Sequence, residues 1–264
     1  MDNKFSVADL RKQIATNGHQ PDMEIALCYS GKTVLVKPLK VKQKKELLKS
    51  LESKNEILIN RVLDDIIESY VILVNGDELR TKDLTTQERH QIMIYIRVAH
   101  GDESAKIAHQ CPKCEKVNRD IEYQLSKNSY VKNYEEPKEG KIVTICKGQV
   151  EIHYDVIFRH EEMLVEEYIK EHKLKTVSER QFAMVAASIK KIFFVNGNNK
   201  TEVSIPTVDD KMGFIEELDS SEFTLITTAI GNLDFGVKMP FEFKCGHCDY
   251  TSSEEVNATI FFIS

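Results

Sequence analysis

Glycine and proline are scarce in this 264-residue chain, with 11 and 6 copies, and no low-complexity tract interrupts it. So few breakers, together with 41% hydrophobic and 30% charged residues, describe a folded, helix-rich protein and exclude a disordered one. No apolar run approaches the ~18 residues that a membrane span requires. The opening Met1-Asp2-Asn3-Lys4 lacks the basic-then-apolar order of a secretory signal. The expectation is a protein kept in a cytosol, with no membrane span. A cationic excess is missing too. The net charge of -6 disfavours nucleic acid as the main partner, because phosphate contacts need clustered cations.

Catalytic signatures are also lacking. There is no Gly-X-Ser-X-Gly elbow and no Gly-X-Gly-X-X-Gly fingerprint. Ser30-Gly31-Lys32-Thr33 resembles the end of a phosphate-binding loop, but Ala26 stands where its first glycine is needed. The following Val34-Leu35-Val36 reads as strand instead of helix. His160-Glu161-Glu162 fails the metalloprotease pattern because Leu164 occupies the place of the second histidine. Glu162, Glu166, Glu167 and Glu171 read as the solvated face of a helix rather than a metal site. No catalytic residue is assigned, and the chain is expected not to be an enzyme.

What the chain does contain is length and repetition. It is long enough for one large domain or two small ones. Residues 1–22 read as an N-terminal arm with a short helix around Val7–Ala15. Residues 23–125 read as a first module: a hairpin at 23–38 turning at Tyr29-Ser30-Gly31, helices over Lys42–Leu51 and Glu56–Val71, and an Asn75-Gly76 turn. A capping box follows at Thr85-Thr86-Gln87-Glu88, starting a helix that carries Ile92, Ile94 and Ile96. Strands on either side of Cys111-Pro112-Lys113-Cys114 close the module. After a polar connector at 126–140, residues 141–264 repeat the order, ending on strands around Cys245-Gly246-His247-Cys248. Thr85/Asp219, Glu88/Glu222, Cys111/Cys245 and Cys114/Cys248 all keep one 134-residue offset, as do Leu84/Leu218, Ile92/Ile226 and Ile96/Ile230. The second module carries an insertion of about a dozen residues around Thr201–Gly213. The fold class read from this is α+β, an internally duplicated module whose two knuckles join as a zinc ribbon.

A Cys-X2-Cys turn brings two sulfurs to one ion, and two such turns supply the four thiolates of a tetrahedral site. Cys111, Cys114, Cys245 and Cys248 are therefore the candidate ligands of one structural zinc. In a reducing compartment metal is favoured over a disulfide for this spacing. Two other readings stay open: a redox Cys-X-X-Cys, which wants a strand-to-helix junction and here finds strands, and two separate ions completed by His109 or His247. Cys28 and Cys146 read as small buried hydrophobes. A four-thiolate site is closed and leaves no position to activate water. Lys37, Lys40, Lys42, Lys44, Lys45 and Lys49 form either a solvated helix start or a docking surface for an acidic partner, DNA or another subunit.

The order of parts resembles the baseplate hub subunit family of T-even-like contractile-tailed bacteriophages. It is carried by Val34-Leu-Val-Lys-Pro-Leu-Lys-Val, a helix pair, a capped helix, Cys-Pro-Lys-Cys and a terminal Phe-Lys-Cys-Gly-His-Cys, over roughly Lys32 to the C-terminus. The two knuckles of the family fall on Cys111/Cys114 and Cys245/Cys248. Glu115 stands where a glycine often follows a knuckle, a position where φ > 0 is easiest for glycine. The resemblance implies a non-enzymatic virion-assembly role in the hub of the tail baseplate. Its partners would be other hub proteins and/or the tape-measure protein within a large symmetric assembly. The place would be the virion tail, with the host cytoplasm during assembly. From a different class comes a zinc-ribbon protein that binds nucleic acid or a polymerase; few aromatics interleave with basic residues near the knuckles to support it.

Overall fold

The computed structural model describes residues 23–256, apart from positions 38, 54, 76, 100–103 and 139. The arm at 1–22 and the glycine of the Asn75-Gly76 turn lie outside the described residues. Strands β1 (Met23–Ala26) and β2 (Thr33–Val36) pair antiparallel from Met23↔Val36 to Ala26↔Thr33. Their alternation buries Ile25, Val34 and Val36 on one face. Helix α1 (Val41–Glu52) and helix α2 (Glu56–Tyr70) cover that face with Leu47, Leu63, Ile66, Ile67 and Tyr70. Asn55 caps α2, its side chain accepting from the Leu58 amide.

Sequence periodicity ran α2 through Val71, but Val71 leaves the helix at φ -123 and begins β3 (Val71–Leu73), which pairs with β2. The run Val71-Ile72 is β-branched and fits a pleated edge better than another helical turn. Helix α3 (Thr86–Ala99) follows a single 3-10 turn. Its capping box forms as the sequence implied: the Glu88 amide donates to Thr85 Oγ1 at 3.2 Å and the Thr85 amide to Glu88 Oε2 at 3.0 Å. Strands β4 (Ser104–Gln110) and β5 (Val117–Gln124) then pair antiparallel around the first cysteine turn, with a bulge between Ile107 and His109. Within residues 126–140 the chain makes most of one helical turn, α4 (Leu125–Asn128), and a strand, β6 (Tyr130–Lys132).

The second half follows the same order: β7 (Ile142–Ile145), β8 (Val150–Tyr154), α5 (Arg159–His172), α6 (Val177–Ser188) and β9 (Ile189–Asn196). Strand β9 joins β8 as β3 joins β2. Strand β10 (Asn199–Val203), on the outer edge of β9, and helix α7 (Val208–Glu216) occupy the segment read as an insertion. Helix α8 (Ser220–Gly231) starts 134 residues after α3, and its cap Asp219 accepts from the Ser221 and Glu222 amides at 2.9 Å. One detail recurs in both halves. Glu88 accepts from the Ser30 amide at 2.8 Å, and Glu222 from the Cys146 amide at 3.1 Å, so each capped helix holds the tip of its own hairpin. Strands β11 (Gly236–Lys238), β12 (Pro240–Lys244) and β13 (Thr251–Glu255) complete the described chain.

The halves meet along several contacts. Strand β6 pairs antiparallel with β11, from Tyr130↔Lys238 to Lys132↔Gly236. Gly236 sits at φ 102, and a Cβ there would lie 3.0 Å from Gln87 Cβ on α3, so only glycine allows this approach. Tyr29, Tyr134, Phe158 and Phe235 pack in tilted and edge-to-face pairs at the junction, with Tyr29 and Tyr134 centroids 4.8 Å apart. Beneath them runs a buried ion network. Arg159 of α5, 2% exposed at its side chain, reaches Asp64 of α2 at 2.8 Å and Glu166 at 2.7 Å. Arg89 of α3 reaches Asp64 at 2.9 Å and Glu162 at 2.7 Å. This corrects the reading of Glu162 and Glu166 as a solvated face: amphipathic spacing places them on one stripe, and the stripe faces two arginines instead of water.

Candidate metal centre

Each cysteine turn is shaped by its flanking hairpin. The Cys111 amide donates to the Lys116 carbonyl at 3.0 Å and the Glu115 amide to the Cys111 carbonyl at 2.8 Å. Glu115 lies at φ 60, the left-handed turn position that the sequence identified as one favouring glycine. In the second turn the Cys245 amide donates to the Tyr250 carbonyl at 3.0 Å. The two turns face each other across the halves, tied at their rim by Lys113 and Asp249 at 2.6 Å. Ile94, Ile107 and Tyr123 from the first half pack with Met239, Phe241 and Phe243 from the second beneath the cysteines.

The four sulfurs Cys111, Cys114, Cys245 and Cys248 lie within 4.8 Å of one another. Across the halves Cys111–Cys248 and Cys114–Cys245 are each 3.7 Å apart. A tetrahedron of sulfurs each about 2.3 Å from a central ion has edges of about 3.8 Å, whereas a disulfide closes to about 2.05 Å. The donor set therefore fits a four-coordinate thiophilic ion. Ionisation fits as well. Burial opposes loss of the Cys245 proton, but the His247 amide, the Asn118 side chain and the Cys248 amide and thiol donate to its sulfur and bring the thiol down to about 6. Cys248 moves up instead: the Tyr250 amide lowers it, and burial with the three neighbouring sulfurs outweighs that. Four sulfurs this close cannot all carry charge without a cation among them.

Asn118 was not singled out by the sequence. From β5 of the first half it accepts the Gly246 amide at 2.7 Å and donates toward Cys245 Sγ at 3.5 Å, so it holds the opposite turn in place. A Cβ at Gly246 would sit 3.3 Å from the Asn118 side-chain oxygen. The only signal available was a polar residue one step into a strand, which many exposed strands share. His109 packs tilted against Phe243 with centroids 4.3 Å apart and its Nε2 3.2 Å from Glu254; His247 is exposed. Neither joins the sulfur cluster. Cys28 is buried, and burial followed by the Glu88 charge pushes its thiol up to about 12. Cys146 departs from the expectation of a buried hydrophobe. It is half-buried at φ 51, in the hairpin turn that Glu222 holds.

Fold and cluster together define a mixed helix-and-strand protein whose halves converge on one four-cysteine group suited to metal. The family described as T4 bacteriophage base plate protein matches residues 20–261, and the chain belongs to that family. No curated protein and no solved structure matches it. Membership makes it a structural protein of the phage baseplate, located in the virion tail and assembled with other phage proteins. Among the described residues no helix is long and apolar enough to cross a membrane.

Proposed function

We propose that the chain is a non-enzymatic structural or assembly component of the baseplate hub, stapled by one zinc ion on Cys111, Cys114, Cys245 and Cys248. The observation that carries this is a set of four sulfurs, two from each half, spaced for one tetrahedral ion inside a baseplate protein. Bound there, the ion supplies cross-linking alone, because all four coordination positions go to cysteine. Zinc suits the all-thiolate set, and in small fingers such sites contribute roughly 10–16 kcal/mol to folding.

The same reading makes 23–125 and 141–264 copies of one ancestral module, joined by 126–140, with the ion near the axis that relates them. The shared element order, the 134-residue offset from helix cap to cysteine turn, and the matching grips of Glu88 and Glu222 on their hairpins support it. Each Cys-X2-Cys hairpin is then half of a zinc ribbon assembled across the duplication. The contacts made in the hub would be other hub proteins or the tape-measure protein. Mass spectrometry of purified tails tests the role. Fixed copy number in tails fits a lasting hub component, and absence from tails with co-purification of a hub or tape-measure protein fits an assembly factor. Recovery only with the outer parts of the baseplate contradicts a hub role.

A further inference from the structure

Positive charge in the first half is concentrated in one place. Lys37, Lys40, Lys42, Lys44, Lys45 and Lys49 lead into and along α1 against a single carboxylate in that stretch, Glu46. The first turn of α1 has no acidic residue, although a helix start favours negative charge. The lysines therefore cost the isolated helix stability. Leu47 and Ser50 face the core; at about 3.6 residues per turn, Lys42, Lys45 and Lys49 fall on the opposite side. Beside them Val41 and Leu48 are 72% and 43% exposed and lie two turns apart on one flank. Lys42 lies 3.9 Å from Glu46, an exposed pair worth little. Lys40, Lys45 and Lys49 have no ion-pair partner among the described residues.

The second half carries the complement. Asp209, Asp210, Glu216, Glu217 and Asp219 are exposed on α7 and the turn into α8, with Lys211 the sole cation among them. Asp209 and Glu216 lie two turns apart on one side of α7, where both charges act on Tyr168. The Thr207 hydroxyl and amide hold the Asp210 carboxyl below the usual range, and the Ser221 hydroxyl with the Glu222 and Ser221 amides does the same for Asp219. Asp210 and Asp219 therefore stay charged across the physiological range.

We propose that the lysine face of α1 docks a second copy of this chain, receiving that copy's acidic corner at α7 and the α7–α8 turn. Charge complementarity between two surfaces of one chain argues for a copy over a nucleic acid. A polyanion would meet net repulsion from the rest of a molecule at -6, and Val41 with Leu48 offers apolar contact that phosphate does not use. The contact joins different patches, so it is heterologous and repeats head to tail into a ring or an open string. It goes beyond the hub reading and does not depend on the metal.

Sedimentation of the full metal-loaded chain at about 0.05 M and about 0.5 M salt tests the proposal, since exposed charge contacts weaken as the screening length shrinks. Association at low salt and its loss at high salt are expected. Lys42→Glu/Lys45→Glu/Lys49→Glu and Asp209→Lys/Glu216→Lys should each weaken association at least about tenfold, and mixing the two variants should restore it. All five positions are exposed, so circular dichroism should show both variants folded. A monomer at every salt concentration overturns the proposal, as does association untouched by either variant. Duplex DNA captured through the lysines with no self-association also overturns it.

Discussion

Replacing Arg159 by methionine tests whether the buried ion network locks the halves together. Arg159 is the more central of the two arginines. Its Nε meets Asp64 of the first half at 2.8 Å, its Nη1 meets Glu166 at 2.7 Å, and Glu162 stands 3.6 Å away. With Arg159 gone, Arg89 is left to balance Asp64 and Glu162, and Glu166, 19% exposed at its side chain, keeps only the Asn60 side-chain amide. Removing one partner of a buried pair costs about 3–5 kcal/mol, mostly the penalty of the charge left behind. For a chain of this size that lowers Tm by roughly 10 °C. Urea unfolding of Arg159→Met, Asp64→Asn and the double variant measures it. The double variant should recover about 0.5–3 kcal/mol relative to additivity. Arg80→Met is the control, since Arg80 pairs with Asp83 at 3.1 Å with both side chains about half exposed, and should cost under about 0.5 kcal/mol. If Arg159→Met costs no more than the control, the network does not hold the halves and the reasoning fails.

Three further outcomes follow from the same contacts. Asn118→Ala orphans the Gly246 amide and frees the second cysteine turn, so metal affinity measured by chelator competition should fall about 10–100-fold; unchanged affinity would show that the hairpin alone sets the turn. Gly236→Ala puts a Cβ at φ 102 against Gln87 and should cost about 1–3 kcal/mol in urea unfolding, whereas Gly213→Ala in open space on α7 should not destabilise. Burial, then the neighbouring Arg89 charge, lowers His90 to about 4. The folded imidazole binds its proton more weakly than the unfolded one. Its contribution is whole above about pH 6.5 and is lost as pH falls toward about 4, in all about 3 kcal/mol. His90→Gln should flatten that part of the pH–stability curve; an unchanged slope would assign the acid sensitivity elsewhere.

Local chemistry made much of this fold legible in the sequence. Thr85 and Glu88 form the reciprocal bonds their spacing encodes, and both cysteine turns sit between strands as their flanking alternations require. Glu115 adopts the positive φ expected of that turn position. The features that local sequence does not encode depend on partners distant in the chain. Residues 71–73 are too few to show a period, so β3 merged into the helix before it. Tyr130–Lys132 reads as polar linker until Gly236–Lys238 lies beside it. Glu162 and Glu166 carry the pattern of any exposed acidic stripe, and it takes Arg89, 73 positions from Glu162, and Asn60, 106 positions from Glu166, beside Arg159 to turn that stripe inward. Asn118 is in the same position, its role fixed by a turn 128 residues on.

Native mass spectrometry of the purified chain, beside Cys111→Ser and Cys245→Ser, reads out whether one ion joins the two halves. One zinc per wild-type chain, lost when a cysteine from either half is changed, is the predicted result. Two zincs per chain, or no metal with four reactive thiols, would contradict a single site shared between the halves.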